Sequence, residues 1–62
     1  PICAEYRVSN LHPFNISFTA YDCSYLPVSG TILANSIGYT GCIISGSLKL
    51  NNTATYSIAG YC

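Results

Sequence analysis

Charge is what this chain has least of. Only Glu5, Arg7, Asp22 and Lys49 carry a full charge, and the formal net charge is zero. Charged residues make up 6% of the chain, against about 25% in an ordinary soluble domain. Without a basic patch nothing neutralises a phosphate backbone, so nucleic acid is not an expected partner. Tyrosines could stack bases, but without cations they form no electrostatic funnel. No apolar run approaches the roughly 18 residues of a transmembrane helix, so no membrane span is expected. The charged and apolar regions of a signal peptide are also missing. A chain opening on Pro1 fits either loss of an initiator Met or cutting from a longer precursor.

The motifs of chemistry are missing too. There is no Gly-x-Ser-x-Gly, no His-Glu-x-x-His and no phosphate loop. No Cys-x-x-Cys pair offers a metal site, and the single histidine, His12, sits beside Pro13 in an expected turn. A Cys–His nucleophile would need His12 beside a free thiol, with Asp22 or an Asn to orient it. No enzymatic activity, metal or cofactor is expected. Zero net charge also favours association, because nothing repels a neighbour.

What the chain does have is alternation. Between Phe14 and Cys23, Ile16, Phe18 and Ala20 fall on one side of an extended strand, and Ser17, Thr19, Tyr21 and Cys23 on the other. The same period runs through Ile2–Asn10, where Ile2, Ala4, Tyr6 and Val8 oppose Cys3, Glu5, Arg7 and Ser9. Further strands are expected over Val28–Leu33, with a possible bulge at Gly30, and over Ile37–Ile44. Ser47–Leu50 and Thr53–Tyr61 read as a hairpin across Asn51-Asn52, since Asn tolerates positive φ. In that hairpin Leu48 and Leu50 would face the core with Ala54, Tyr56 and Ile58. No segment carries the helical period of 3.6. The expected fold is all-β: a small antiparallel β-sandwich or barrel of five to six short strands in one domain, residues 1–62.

A chain this short buries only about 60% of its unfolded surface and usually needs staples or partners. Cysteines stand at nearly equal intervals, Cys3, Cys23, Cys42 and Cys62. Their even number suggests two disulfides, each able to stabilise by about 3 kcal/mol. Strand parity puts Cys3 and Cys23 on the wetter faces of their strands and favours the pairs Cys3–Cys42 and Cys23–Cys62. The interval hints at a repeat, but the segments before Cys23, Cys42 and Cys62 match only loosely. Two Asn-x-Ser/Thr sequons, at Asn15 and Asn51, matter only in a glycosylating compartment.

The polar surface must be built from uncharged groups. Tyrosine joins a large contact area to a hydroxyl and is enriched in interfaces. Tyr21, Tyr25, Tyr39 and Tyr61, with Ser17 and Thr19 on the polar face of the second strand, are the interface candidates; the plainer alternative is cross-strand packing of the tyrosines. Short strands with few charges leave sheet edges unguarded, so edges are expected to pair with other chains.

Three segments carry a resemblance. Cys3-x-Glu5-Tyr6-x-Val8-x-Asn10, then Phe18-Thr19-x-Tyr21-Asp22-Cys23-Ser24, then Cys42-x-x-x-Gly46-Ser47 resemble short uncharacterised β-modules of tailed-phage virion or fibre proteins and of bacterial surface proteins. The resemblance spans about residues 3 to 48. It departs in two places: the loop after Cys23 lacks a glycine of those units, and Cys62 lies beyond the pattern. It implies a structural or adhesive role. The leading expectation is a virion subunit, such as a capsid cement, decoration or tail-associated protein, with copies of itself and other structural proteins as partners. The alternative is a secreted, disulfide-stapled binding module: an adhesin, inhibitor or toxin-like domain. The expected location is the virion, assembled in a host cytoplasm, or the extracellular space.

Overall fold

Alternating apolar side chains can be buried only if another layer covers them, and two small sheets here cover each other. The computed structural model describes residues 1–62 and contains no helix. Six strands follow in order: β1 (Cys3–Asn10), β2 (Ile16–Tyr21), β3 (Pro27–Ile32), β4 (Ser36–Ile44), β5 (Lys49–Leu50) and β6 (Thr55–Tyr61). They form two three-stranded sheets, β4-β1-β6 and β3-β2-β5, and every pairing is antiparallel.

The central strands carry the core. On β1, Ala4, Tyr6, Val8 and Asn10 are buried; on β2, Ile16, Phe18 and Ala20 are. One cluster joins Ala4, Tyr6, Ala20 and Ile43, with Val28 and Leu48 against it. A second joins Val8, Ile16, Phe18 and Ile32, with Leu48, Leu50 and Ala54 packed on it. Period-2 reading therefore placed Ala4, Tyr6 and Val8 of β1 and Ile16, Phe18 and Ala20 of β2 inward correctly, while Ile2 is exposed and Cys3 and Asn10 are buried without having been placed there.

Two glycines let a neighbouring side chain lie directly against the backbone. A Cβ on Gly30 would lie 2.6 Å from the Phe18 ring, and one on Gly38 would lie 2.7 Å from Ile32 Cδ1. The bulge expected at Gly30 is absent, because the β2–β3 register runs unbroken through Phe18 and Gly30. Gly30 is needed for the ring that lies on it. The irregularities fall on the two neighbours of β1 instead: β4 has an extra residue opposite Glu5–Arg7, and β6 one opposite Glu5–Tyr6.

The hairpin expected across Asn51-Asn52 does not form. β5 pairs with β2, through Phe18–Leu50 and Thr19–Lys49, while β6 pairs with β1 in the other sheet. Asn51 decides this locally. Its N–H donates to Ser17 O at 3.0 Å, and its Oδ1 accepts from Ser17 N at 2.9 Å. Backbone and side chain together extend the β2 ladder by one step, and the chain then crosses to the other sheet. As a result Tyr56 and Ile58 leave the core they were expected to join.

The disulfides differ from the expected pairs. Cys3 bonds Cys23, and Cys42 bonds Cys62, with Cα separations of 6.1 and 6.3 Å. Parity misplaced Cys3, which is buried at the start of β1. Asp22 makes an isolated antiparallel bridge with Ile43 in the other sheet. That bridge brings the end of β2 against the first sheet and puts Cys23 within reach of Cys3. Cys62 donates its N–H to Cys3 O at 3.0 Å, which sets the second bridge at the same end of β1.

Candidate interaction surface

On β2, burial and exposure alternate strictly, which turns Ser17, Thr19 and Tyr21 outward on one face. Thr19 and Tyr21 line a shallow cleft with Pro27, Ser47 and Lys49. Ser47 Oγ accepts the Tyr21 N–H at 3.2 Å and donates to Ile44 O at 2.7 Å, bridging the two sheets at the cleft. Lys49 supplies the cleft's one charge.

Tyr25 is positioned by the loop beyond. Asp22 Oδ1 accepts the N–H of Ser24 at 2.8 Å and of Leu26 at 3.0 Å. The backbone closes the same loop through Tyr25 N to Asp22 O and Asp22 N to Leu26 O, both at 2.9 Å. A positive φ of 64° at Tyr25 completes the reversal, and Tyr25 and Leu26 stand in solvent. The carboxylate of Asp22 thus serves as a loop cap, a use of Asp that local hydrogen bonding favours.

The other two tyrosines lie elsewhere. Tyr39 pairs with Arg7 on the outer face of the first sheet. Tyr61 closes β6 and is 74% exposed. The structure thus brings together Ser17, Thr19 and Tyr21, with Tyr25 on the adjoining loop, and separates Tyr39 and Tyr61 from them.

Two features escaped the sequence reading. The first is Asn10, fully buried at the end of β1. Its Nδ2 donates to Phe14 O at 2.9 Å, Ile32 O at 3.2 Å and Leu33 O at 3.1 Å, and its Oδ1 accepts from His12 N at 3.0 Å. One side chain satisfies the backbone of two chain turns. A polar residue at an inward position of a strand was the available signal. The second is β6, exposed at all seven residues. Tyr56 and Ile58 pair with Val8 and Tyr6 and so share their inward face, with the Tyr6 and Tyr56 rings edge-to-face at 5.8 Å. Yet Tyr56 is 53% and Ile58 37% exposed, because two-residue β5 is too short to cover them.

His12 holds a turn. Its ring stacks on Phe14 at 4.8 Å, and Nε2 donates to Thr53 O at 2.6 Å. Ser9, Leu11, Thr53, Ala54 and Thr55 share a shallow cleft with it. All four cysteines are in disulfides, and no group of three or more His, Cys, Asp and Glu converges. The arrangement offers stacking, hydrogen bonding and unpaired strand edges. Formed disulfides suit an oxidising, extracellular or secreted setting.

No protein-family model, curated protein or solved structure matches the chain.

Proposed function

We propose that this chain is a non-enzymatic structural protein that works as an assembled subunit, in its most specific form a small virion component such as a capsid cement, decoration or tail-associated protein. The two sheets are read as the layers of a small sandwich. Shared buried clusters and a shortest dimension of 14 Å support that, since stacked sheets pack about 10 Å apart.

The observation that carries the proposal is β6. It ends one sheet, is exposed along its whole length and contains no charged residue. Soluble proteins guard such edges with charge, proline or cover, because an open edge templates pairing with another chain. An unguarded edge on a charge-poor molecule fits a surface that is occupied in use. Copies of the chain and other structural proteins are the proposed partners, and many weak contacts would sum in an array. A virion surface is among the settings where disulfides persist.

The two disulfides also favour a second reading, a secreted binding module that acts alone. Fractionating the native source separates the two. An assembled subunit co-sediments in many copies with a particle or filament. A free monomer with both disulfides intact, particularly one glycosylated at Asn15 or Asn51, would establish the second reading instead.

A further inference from the structure

We infer that β6 pairs antiparallel with β6 of a second copy, about a two-fold axis at Ser57, joining the two β4-β1-β6 sheets into one. This rests on the assembled-subunit reading and names its contact.

The direction of the backbone groups selects the register. Tyr6 sends its N–H toward β4, to Thr40 Oγ1 at 3.1 Å. Its pairing with Ile58 on the other side is therefore of the non-hydrogen-bonded kind, and the N–H and C=O of Ile58 point to the open edge. Tyr56, two residues earlier, does the same. The pattern ends at Ala59, the extra residue where the register shifts from Tyr6–Ile58 to Glu5–Gly60. Beyond the bulge the alternation shifts by one residue: Gly60 and Cys62 turn to β1, as the Cys62 N–H to Cys3 O bond records, and Tyr61 turns outward out of step with Tyr56 and Ile58. Only Tyr56 and Ile58 thus present a regular outward ladder. A partner β6 meets it symmetrically when Tyr56 faces the second copy's Ile58, and the reverse. Each of these two pairs exchanges both of its backbone hydrogen bonds.

The side chains suit that arrangement. An aromatic faces a β-branched residue twice, a favourable cross-strand combination, on the inward face that β5 leaves bare. On the other face Ser57 meets the second copy's Ser57, small and uncharged. A two-fold interface sets every residue against its own surroundings, so a charge there would face itself; β6 has none. Arg7, the register neighbour of Ser57, stands three strand spacings, about 14 Å, from its copy, beyond the Debye length of about 8 Å.

The test places charge at the axis. In sedimentation velocity on the oxidised chain, wild type runs as a dimer. Ser57→Lys sets two ammonium groups opposite each other and weakens the dimer by about tenfold or more. Ser57→Glu weakens it less, since Arg7 offsets its charge, and Ser57→Ala leaves it unchanged. An equimolar mixture of the Lys and Glu variants recovers the dimer. Unaltered thermal unfolding of each variant at low concentration shows that the fold is kept, because Ser57 is exposed. A wild-type assembly indifferent to both charged variants, or a mixture that stays monomeric, overturns the pairing and leaves the assembly reading standing. A wild-type monomer overturns the pairing as well. In that case the assembly reading survives if the native protein co-sediments with a particle, and falls if it is found free.

Discussion

The two long sides of this molecule are built by opposite means. Where the end of β2 meets β1 and β4, the sheets are joined covalently by Cys3–Cys23 and through hydrogen bonding by the Asp22–Ile43 bridge, over a cluster of Ala4, Tyr6, Ala20 and Ile43. Where β5 gives way to β6 only the chain itself crosses between the sheets, with no disulfide and no strand pairing. β5 ends after two residues, and β6 runs on with its inward side chains in solvent. A small chain with few charges cannot close both sides from its own apolar surface. It closes one with cross-links and leaves the other exposed.

Removing the cross-link should break that contrast most strongly. Both disulfides span the same separation of 20 residues, so their chain-entropy contributions are alike. Cys3→Ala/Cys23→Ala should cost about 4 kcal/mol, because it also frees one sheet from the other and empties a buried site. Cys42→Ala/Cys62→Ala should cost about 3 kcal/mol or less, since it spares the link between sheets. Equal losses in denaturant unfolding would show that the inter-sheet position adds nothing.

Core truncation comes next. Ile43→Ala on the closed side should cost about 3 kcal/mol, and Ile58→Ala on the open side under about 1 kcal/mol, measured on the monomer by chemical denaturation. A large loss at Ile58 would mean that β6 is covered in solution. Asn10→Ala should cost about 2 kcal/mol, because it strips a shared donor from the carbonyls of Phe14, Ile32 and Leu33. Amide exchange should then rise first in the 11–15 and 33–35 turns. The smallest effect is expected at Asn51→Ala, about 0.5 kcal/mol, since its bond to Ser17 N is exposed. Fraying confined to β5 would sharpen the comparison; global unfolding would contradict it.

Much of the fold was legible. Alternation in Ile2–Asn10 and Phe14–Cys23 gave the two central strands and most of their buried residues, because side-chain parity is local to an extended backbone. Strand ends moved where side chains took over backbone bonds. β2 begins at Ile16, not Phe14, since Phe14 O is held by Asn10 and Asn15 Oδ1 accepts the Ala34 N–H at 2.9 Å. Of the candidate surface, exposure of Ser17, Thr19 and Tyr21 followed from the same parity. The bareness of Tyr56 and Ile58 did not, because it depends on how far another sheet reaches.

Composition and period alone determined an all-β, charge-poor chain of short strands whose even number of cysteines suggested two bridges. Both properties are counted along the chain and need no knowledge of neighbours. Tertiary structure alone decided which strands pair, which cysteines bond and which apolar side chains stay uncovered. The inward faces of β5 and β6 are similarly apolar and would suit a hairpin as well as a crossover. Only the competition of Ser17 for Asn51, and of β1 for β6, separates them, and that competition spans the whole chain.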